Sequence, residues 1–122
     1  MNKRYEAVVV GAGAAGLMCG LQMGKRGKRT LIIERSKNIA EKIRISGGGR
    51  CNFTNLSVTQ DNFLSQNPHF AISALKKFTQ DDFRKMVENN DISYYEKTLG
   101  QLFCDKSSKQ IINMFLDGCK KY

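Results

Sequence analysis

The stretch VVVGAGAAG, from Val8 to Gly16, decides the fold. Three successive valines suit a short strand buried on both faces. Glycines at 11, 13 and 16 then follow in the spacing G-x-G-x-x-G. Working outward, the strand is expected over Tyr5–Val10. A helix is expected from Ala14 to about Arg26, with Leu17 and Leu21 on one face. Gly27 fits the left-handed position that ends a helix, and the basic residues beside it complement the helix dipole. Thr30–Ile33 (TLII) reads as a second buried strand, closing at Glu34. Strand, helix and strand within about thirty residues make a βαβ unit, with parallel strands and a right-handed crossover.

A glycine-rich turn in that setting is a dinucleotide site. Gly11 permits the turn out of the strand, Gly13 lets the backbone approach a pyrophosphate, and Gly16 lets the helix lie against the strand. The amides of Ala14 and Ala15 open the helix and point at an anion with the dipole behind them. Glu34 stands 23 residues after Gly11. Its carboxylate can accept hydrogen bonds from ribose hydroxyls and would repel a 2′-phosphate, so NADP is not expected here. Gly20 extends the spacing by a further small residue, as is common in FAD-type sites. Glu34 fits NAD as well as FAD, so an NAD-binding oxidoreductase or sensor stays open on this motif alone.

The chain has 122 residues, 41% hydrophobic and 25% charged, a globular composition that suits one small domain. No apolar run approaches the ~20 residues of a membrane span, and the N-terminus lacks the pattern of a secretory signal. A cytoplasmic location and no membrane partner are expected. The four cysteines form no C-x-x-C pair and His69 is the single histidine, so the thiols read as reduced and no metal site is expected. The formal charge of +9 comes from basic residues scattered through the chain. They form no run of the kind a nucleic-acid arm carries, so no nucleic-acid partner is expected. The pairs Lys76–Lys77 and Lys120–Lys121 read as solvated faces.

Arg35 to Asn55 reads as a long, polar, functional loop. Beyond it, His69–Phe78 places Phe70, Ala74, Leu75 and Phe78 on one helical face. Thr79 and Asp82 form a capping box before a helix striped by Phe83, Met86 and Val87. Ile92–Glu96 is a short strand, Thr98–Gln101 a turn, and Leu102–Cys104 pairs back as a hairpin. Ser107 and Gln110 suggest a second capping box. Ile111, Ile112, Phe115, Leu116 and Cys119 then line the last helix, with Cys19 and Cys119 in the core. An α/β pattern calls for a strand after that helix, and none follows.

SGGGRCNFTN, from Ser46 to Asn55, is the second informative stretch. Gly47, Gly48 and Gly49 expose backbone amides, Arg50 adds a cation, and Asn52 and Asn55 both donate and accept. Taken with VVVGAGAAG, Glu34 and EKTLGQLFCDKSSKQI (Glu96 to Ile111), it gives the chain a resemblance to the bacterial BaiN/YhiN-like family of NAD(P)/FAD-dependent oxidoreductases. The resemblance covers the N-terminal part of a typical member. It implies a flavoprotein that holds the ADP part of FAD through GAGAAG and Glu34 and the flavin side through SGGGRCN. It implies NAD(P)H as electron donor in the full-length family, an unidentified small-molecule substrate, and a C-terminal part of the same protein as partner. Residues 1–122 are then the N-terminal part of an FAD-binding domain. The fold class is α/β: a Rossmann-like βαβ unit with a Gly-rich loop and a helical segment, truncated before the sheet is complete.

Members carry a Gly-basic-Lys-Ile-Leu type stretch before the serine. Here Ala40, Glu41, Lys42, Ile43 and Arg44 stand there, so Lys42 is kept and the local charge differs. The candidate cofactor-binding residues are Gly11, Gly13, Ala14, Ala15, Gly16, Glu34, Arg35, Lys42, Ser46, Gly47, Gly48, Gly49, Arg50, Cys51 and Asn52. Cys51 is the one catalytic candidate, since a thiol beside Arg50 can have a depressed pKa. A packed or flavin-lining thiol is the simpler reading, because flavin disulfide reductases use paired cysteines. His69 follows Pro68 at a helix start and reads as a capping or surface residue. Two other readings stay open: a basic nucleic-acid-binding module, and a truncated chain inactive by itself.

Overall fold

β1 (Ala7–Val10), α1 (Ala14–Lys25) and β2 (Thr30–Ile33) form the expected βαβ unit in a computed structural model that describes residues 2–122. The strands pair in parallel, with Ala7 opposite Thr30 and Val10 opposite Ile33. α1 ends in a Schellman motif. Gly27, at φ +71, donates its N–H to Gly24 O at 2.8 Å, and Lys28 donates to Met23 O at 3.0 Å.

The strands are not buried on both faces as expected. Side chains alternate along a strand, and the face carrying Val9 and Ile32 meets α1 at Gly16 and Gly20. The other face carries Val8 and Val10, 56% and 83% exposed, and Ile33, 44% exposed. A two-stranded sheet with one helix layer covers one face only.

These elements belong to a first compact unit, which takes the chain up to Cys51 and again from Ser107 to Tyr122. Its remaining elements are α2 (Glu41–Ile45), a glycine loop at Ser46–Gly49, and α5 (Lys109–Lys121). α5 buries Ile111, Ile112, Met114 and Phe115. It lies against α1 through Gly118, where a Cβ would come 2.8 Å from Leu21 Cδ1. Met114 joins the expected stripe. Cys19, expected in the core, is exposed, and Cys119 is half-buried with its thiol 3.7 Å from Leu17 O.

The second unit, Asn52–Lys106, holds β3 (Asn52–Asn55), α3 (Ile72–Lys77), α4 (Gln80–Asn89), β4 (Tyr94–Glu96) and β5 (Gln101–Cys104). Its antiparallel sheet runs β3-β5-β4, with β4 and β5 as the expected hairpin. The Phe53 ring meets Phe83 and Tyr94 edge to face. The supposed loop from Arg35 to Asn55 is therefore more ordered than its composition suggests. It contains α2 and then β3, whose residues gain partners only across the chain, on β5. α3 begins at Ile72 rather than His69, which leaves Phe70 63% exposed.

The Thr79 capping box is formed. Thr79 Oγ1 accepts from Asp82 N at 3.1 Å, and Asp82 accepts from Thr79 N at 2.8 Å. Thr79→Ala is expected to lower stability by about 1 kcal/mol, read from urea unfolding. The Ser107–Gln110 box is not formed. Ser108 is the cap residue, Ser107 Oγ instead accepts from Lys109 N, and Gln110 Oε1 is buried without a hydrogen-bond partner.

Candidate nucleotide-binding site

The site is built at the end of β1 where the chain turns into α1. Gly11 sits at φ +104, a region that favours glycine, and its N–H is held by Ile33 O at 2.7 Å. A Cβ on Gly16 would lie 1.8 Å from Gly11 O. This glycine is thus demanded by the packing of helix on turn. A Cβ on Gly13 would meet nothing within 4 Å. Nothing in the packing demands glycine there; open space before the helix is what an approaching ligand would use. No side chain caps α1, its first turn carries no acid, and Ala14 and Ala15 are exposed. Its free N–H groups and positive dipole end are open to an anion.

Glu34 follows β2 and reaches across to this turn. One carboxylate oxygen accepts from Ala12 N at 2.9 Å and the other from Ser36 N at 2.8 Å. The amides of Ser36 and Ala12 hold its pKa below the usual 4.5. A lowered folded pKa stabilises the fold above that usual value and ceases to do so as pH falls through the folded value. Glu34→Gln is therefore expected to destabilise the chain at neutral pH. The difference from the unmodified chain should shrink below pH 4.5, read from unfolding midpoints. A carboxylate oxygen has two acceptor directions, so each can still accept a ribose hydroxyl.

Two residues not among the sequence candidates anchor the site, one at the turn and one at the glycine loop. Ala40 is buried at φ +53, and its N–H donates to Ala12 O at 2.8 Å. Ser108, 2% exposed, donates its hydroxyl to Arg44 O at 2.7 Å and its N–H to Gly49 O at 2.8 Å. Ala40 acts through its backbone N–H alone, and Ser108 through its hydroxyl as well as its N–H. Gly47, Gly48 and Gly49 lie at φ +57, +63 and +90, and a Cβ on Gly48 or Gly49 would meet open space. Gly49, at positive φ, is followed by Arg50 in the right-handed region, and alternating hands of this kind can turn neighbouring amides toward one side. Glu41 and Arg44 pair with each other across one turn of α2, so the departure just before the loop neutralises itself. Lys42, Arg35 and Arg50 are exposed.

Cys51, Asn52 and Asn55 each have a definite setting in the structure. Cys51 is 5% exposed at φ +57, and burial pushes its thiol pKa up, against a partial offset from its hydrogen bond with Ser46. A reactive cysteine needs a depressed pKa and access, so burial favours the packed or flavin-lining reading of Cys51 over the catalytic one. Exposed Cys19 is expected to be alkylated well before Cys51, as mass spectrometry of a partly labelled sample would show. Asn52 opens β3 in the second unit, where, with its amide turned to satisfy both ends, the nitrogen donates to Leu102 O and Thr54 O. The Asn55 side chain clamps the hairpin turn, donating to Leu99 O and accepting from Ser57 N. Neither amide is left free in the manner expected. His69 is exposed, and its N–H donates to Asn67 Oδ1.

Among the described residues no three His, Cys, Asp or Glu side chains group as metal ligands, and no helix is long and apolar enough to cross a membrane.

Parallel strands, a crossover helix and a glycine turn shaped for a ligand define a Rossmann-like nucleotide-binding domain. The chain belongs to the HI0933-like protein Rossmann domain family, within the FAD-dependent oxidoreductase superfamily, and the family model matches residues 5–122. It is 53% identical, over 98% of its length, to the ribosomal RNA dihydrouridine synthase of Escherichia coli, and 50% identical over its whole length to that of Haemophilus influenzae. It spans about 30% of the length of each of these relatives. A 72-residue match at 32% identity, covering 57% of the chain and 18% of the relative, links it to the 3-dehydro-bile acid delta(4,6)-reductase of Clostridium scindens. The crystal structure of Thermovibrio ammonificans THI4 shares the fold, with TM-score 0.57 and 17% identity over 97% of this chain and 35% of that one.

Proposed function

We propose that this chain is the N-terminal FAD-binding part of a flavoprotein that reduces a uridine of ribosomal RNA. The observation that carries the cofactor assignment is the glycine turn. Gly16 has no room for a Cβ, Gly13 has room to spare, and the open end of α1 lies behind them. The substrate assignment rests on the names of the two relatives that match nearly the whole chain. It departs from the small-molecule substrate expected from the sequence.

In this reading the amides at Gly13, Ala14 and Ala15 hold the pyrophosphate, and Glu34 orients the adenosine ribose. The glycine loop, anchored by Ser108, offers its amides to the flavin side, with Ser46, Arg35, Lys42 and Arg50 as polar neighbours. When bound, FAD supplies the two-electron chemistry needed to saturate the C5–C6 double bond of uridine, with NAD(P)H as the reductant. The rest of the relatives' length corresponds to the C-terminal partner that completes the site, and the location is the cytoplasm.

The test is a flavin-fluorescence titration of the unmodified chain beside Glu34→Gln. The expected result is saturable FAD binding, weakened about tenfold in the variant through loss of charge-assisted hydrogen bonding. Equal binding by the two proteins would remove Glu34 from the site. Substrate identity is read separately, as the dihydrouridine content of ribosomal RNA from cells lacking and regaining the gene.

A further inference from the structure

The chain's excess positive charge is not spread over the fold. The second unit carries 6 Lys and Arg against 7 Asp and Glu, while the first carries 14 against 4. Within the first unit, eight cations distant in sequence come to one end. Lys3 and Arg4 lead into β1; Lys25 and Arg26 end α1; Lys28 and Arg29 lead into β2; Lys120 and Lys121 end α5. The parallel register, with Ala7 opposite Thr30, brings the first and third pairs together. Arg29 Nη1 donates to Arg4 O at 3.5 Å, and Glu6 N to Arg29 O at 2.8 Å. α1 runs back from the glycine turn to the same end. The last pair is placed by Gly24, where a Cβ would come 2.9 Å from Tyr122 Cβ. All eight residues are exposed.

Only Glu6, which pairs with Lys28 at 3.0 Å, and Asp117 on α5 offset them. The formal excess is +6. Two helix C-termini end here, and each presents about half a negative charge. Together they balance roughly one cation. Crowding the remainder raises self-repulsion, which a polyanion would relieve. The patch lies at the end of α1 away from the glycine turn, about 18 Å distant for a 12-residue helix, so the cofactor does not account for it.

We propose that this end of the first unit is a binding surface for the phosphate backbone of RNA. The proposal rests on the ribosomal RNA reading above and adds to it where the RNA is gripped. Arg4, Arg26 and Arg29 bring guanidinium forks suited to phosphate. Among the described residues Tyr5 and Tyr122 adjoin the eight cations, without the Leu, Phe or Trp that buries an interfacial helix in lipid.

The test measures binding of the full chain to a fluorescent hairpin RNA by anisotropy at several salt concentrations. Two triple variants are compared with it: Arg26→Gln/Lys120→Gln/Lys121→Gln on the patch, and Lys76→Gln/Lys77→Gln/Lys85→Gln on the second unit. The patch variant is expected to flatten the slope of log affinity against log salt by about 3, at about one per phosphate contact. The second-unit variant should leave it unchanged. Circular dichroism melts check that all three proteins are folded. Equal slopes in the two variants, no RNA binding, or binding confined to phosphatidylserine vesicles would overturn the proposal. FAD titration of the same patch variant separates the claims. Normal FAD binding with RNA affinity indifferent to the patch sinks only the surface. Patch-dependent RNA binding without FAD binding sinks only the flavin reading.

Discussion

Gly16→Ala is expected to destabilise the first unit strongly, by a net of about 2 kcal/mol or more. The new Cβ would lie 1.8 Å from Gly11 O and 2.9 Å from Gly11 C. Both are backbone atoms, and Gly11 is itself held by its N–H bond to Ile33 O at 2.7 Å. Relief therefore means pulling α1 off the turn or breaking the end of the sheet. Overpacking of this kind costs about 3 kcal/mol or more, against the roughly 1 kcal/mol that alanine gains over glycine in a helix. The net loss is a large share of the roughly 5 kcal/mol that stabilises a small domain. Gly20→Ala is the control. Its Cβ meets the Ile32 Cδ1 methyl at 2.4 Å, a side-chain end that can rotate away. Urea unfolding should rank the unmodified chain first, then Gly20→Ala, then Gly16→Ala. Equal stability of Gly16→Ala and the unmodified chain would refute the packing described here.

Gly13→Ala should do the opposite, sparing the fold and removing the ligand. The backbone there, at φ −86 and ψ −170, suits alanine, and its Cβ would touch nothing. Stability should stay within about 0.5 kcal/mol. The methyl would nevertheless occupy the space in which a pyrophosphate meets the amides of α1. Losing one or two charge-assisted contacts at about 1.5–3 kcal/mol each weakens FAD by about a hundredfold. The pair thus separates a glycine kept for packing from a glycine kept for a ligand. A Gly13→Ala chain that binds FAD normally would show that the turn is not the pyrophosphate site.

The βαβ unit was legible because its signals are local. Valines, spaced glycines and Glu34 each act through their own stretch of chain, and the structure reproduces the second strand at Thr30–Ile33. The capping box at Thr79 is local in the same way. What the sequence concealed depends on distant partners. Burial of β1 on both faces presumed a layer on each side, and only α1 is there. Asn52 and Asn55 looked free until β5 and its turn supplied their partners. Neighbouring Arg50 made Cys51 a catalytic candidate beside the simpler packed reading, and its burial, set by distant residues, raises the thiol pKa. Ala40 meets Ala12 through its backbone, and Ser108 meets Gly49 and Arg44, partners more than fifty residues away in sequence. The basic residues looked scattered because helix and strand ends far apart in sequence meet only in the folded unit.

The measurement that bears most directly on the whole account is an FAD titration of the unmodified chain, followed by the flavin absorbance band and by fluorescence quenching. Parallel titrations with NAD and NADP belong beside it. Saturable binding of FAD near one per chain, with a perturbed flavin band and no competition from NADP, is the predicted result. A chain folded by circular dichroism that binds no FAD, or that binds NAD in preference to it, would contradict the account.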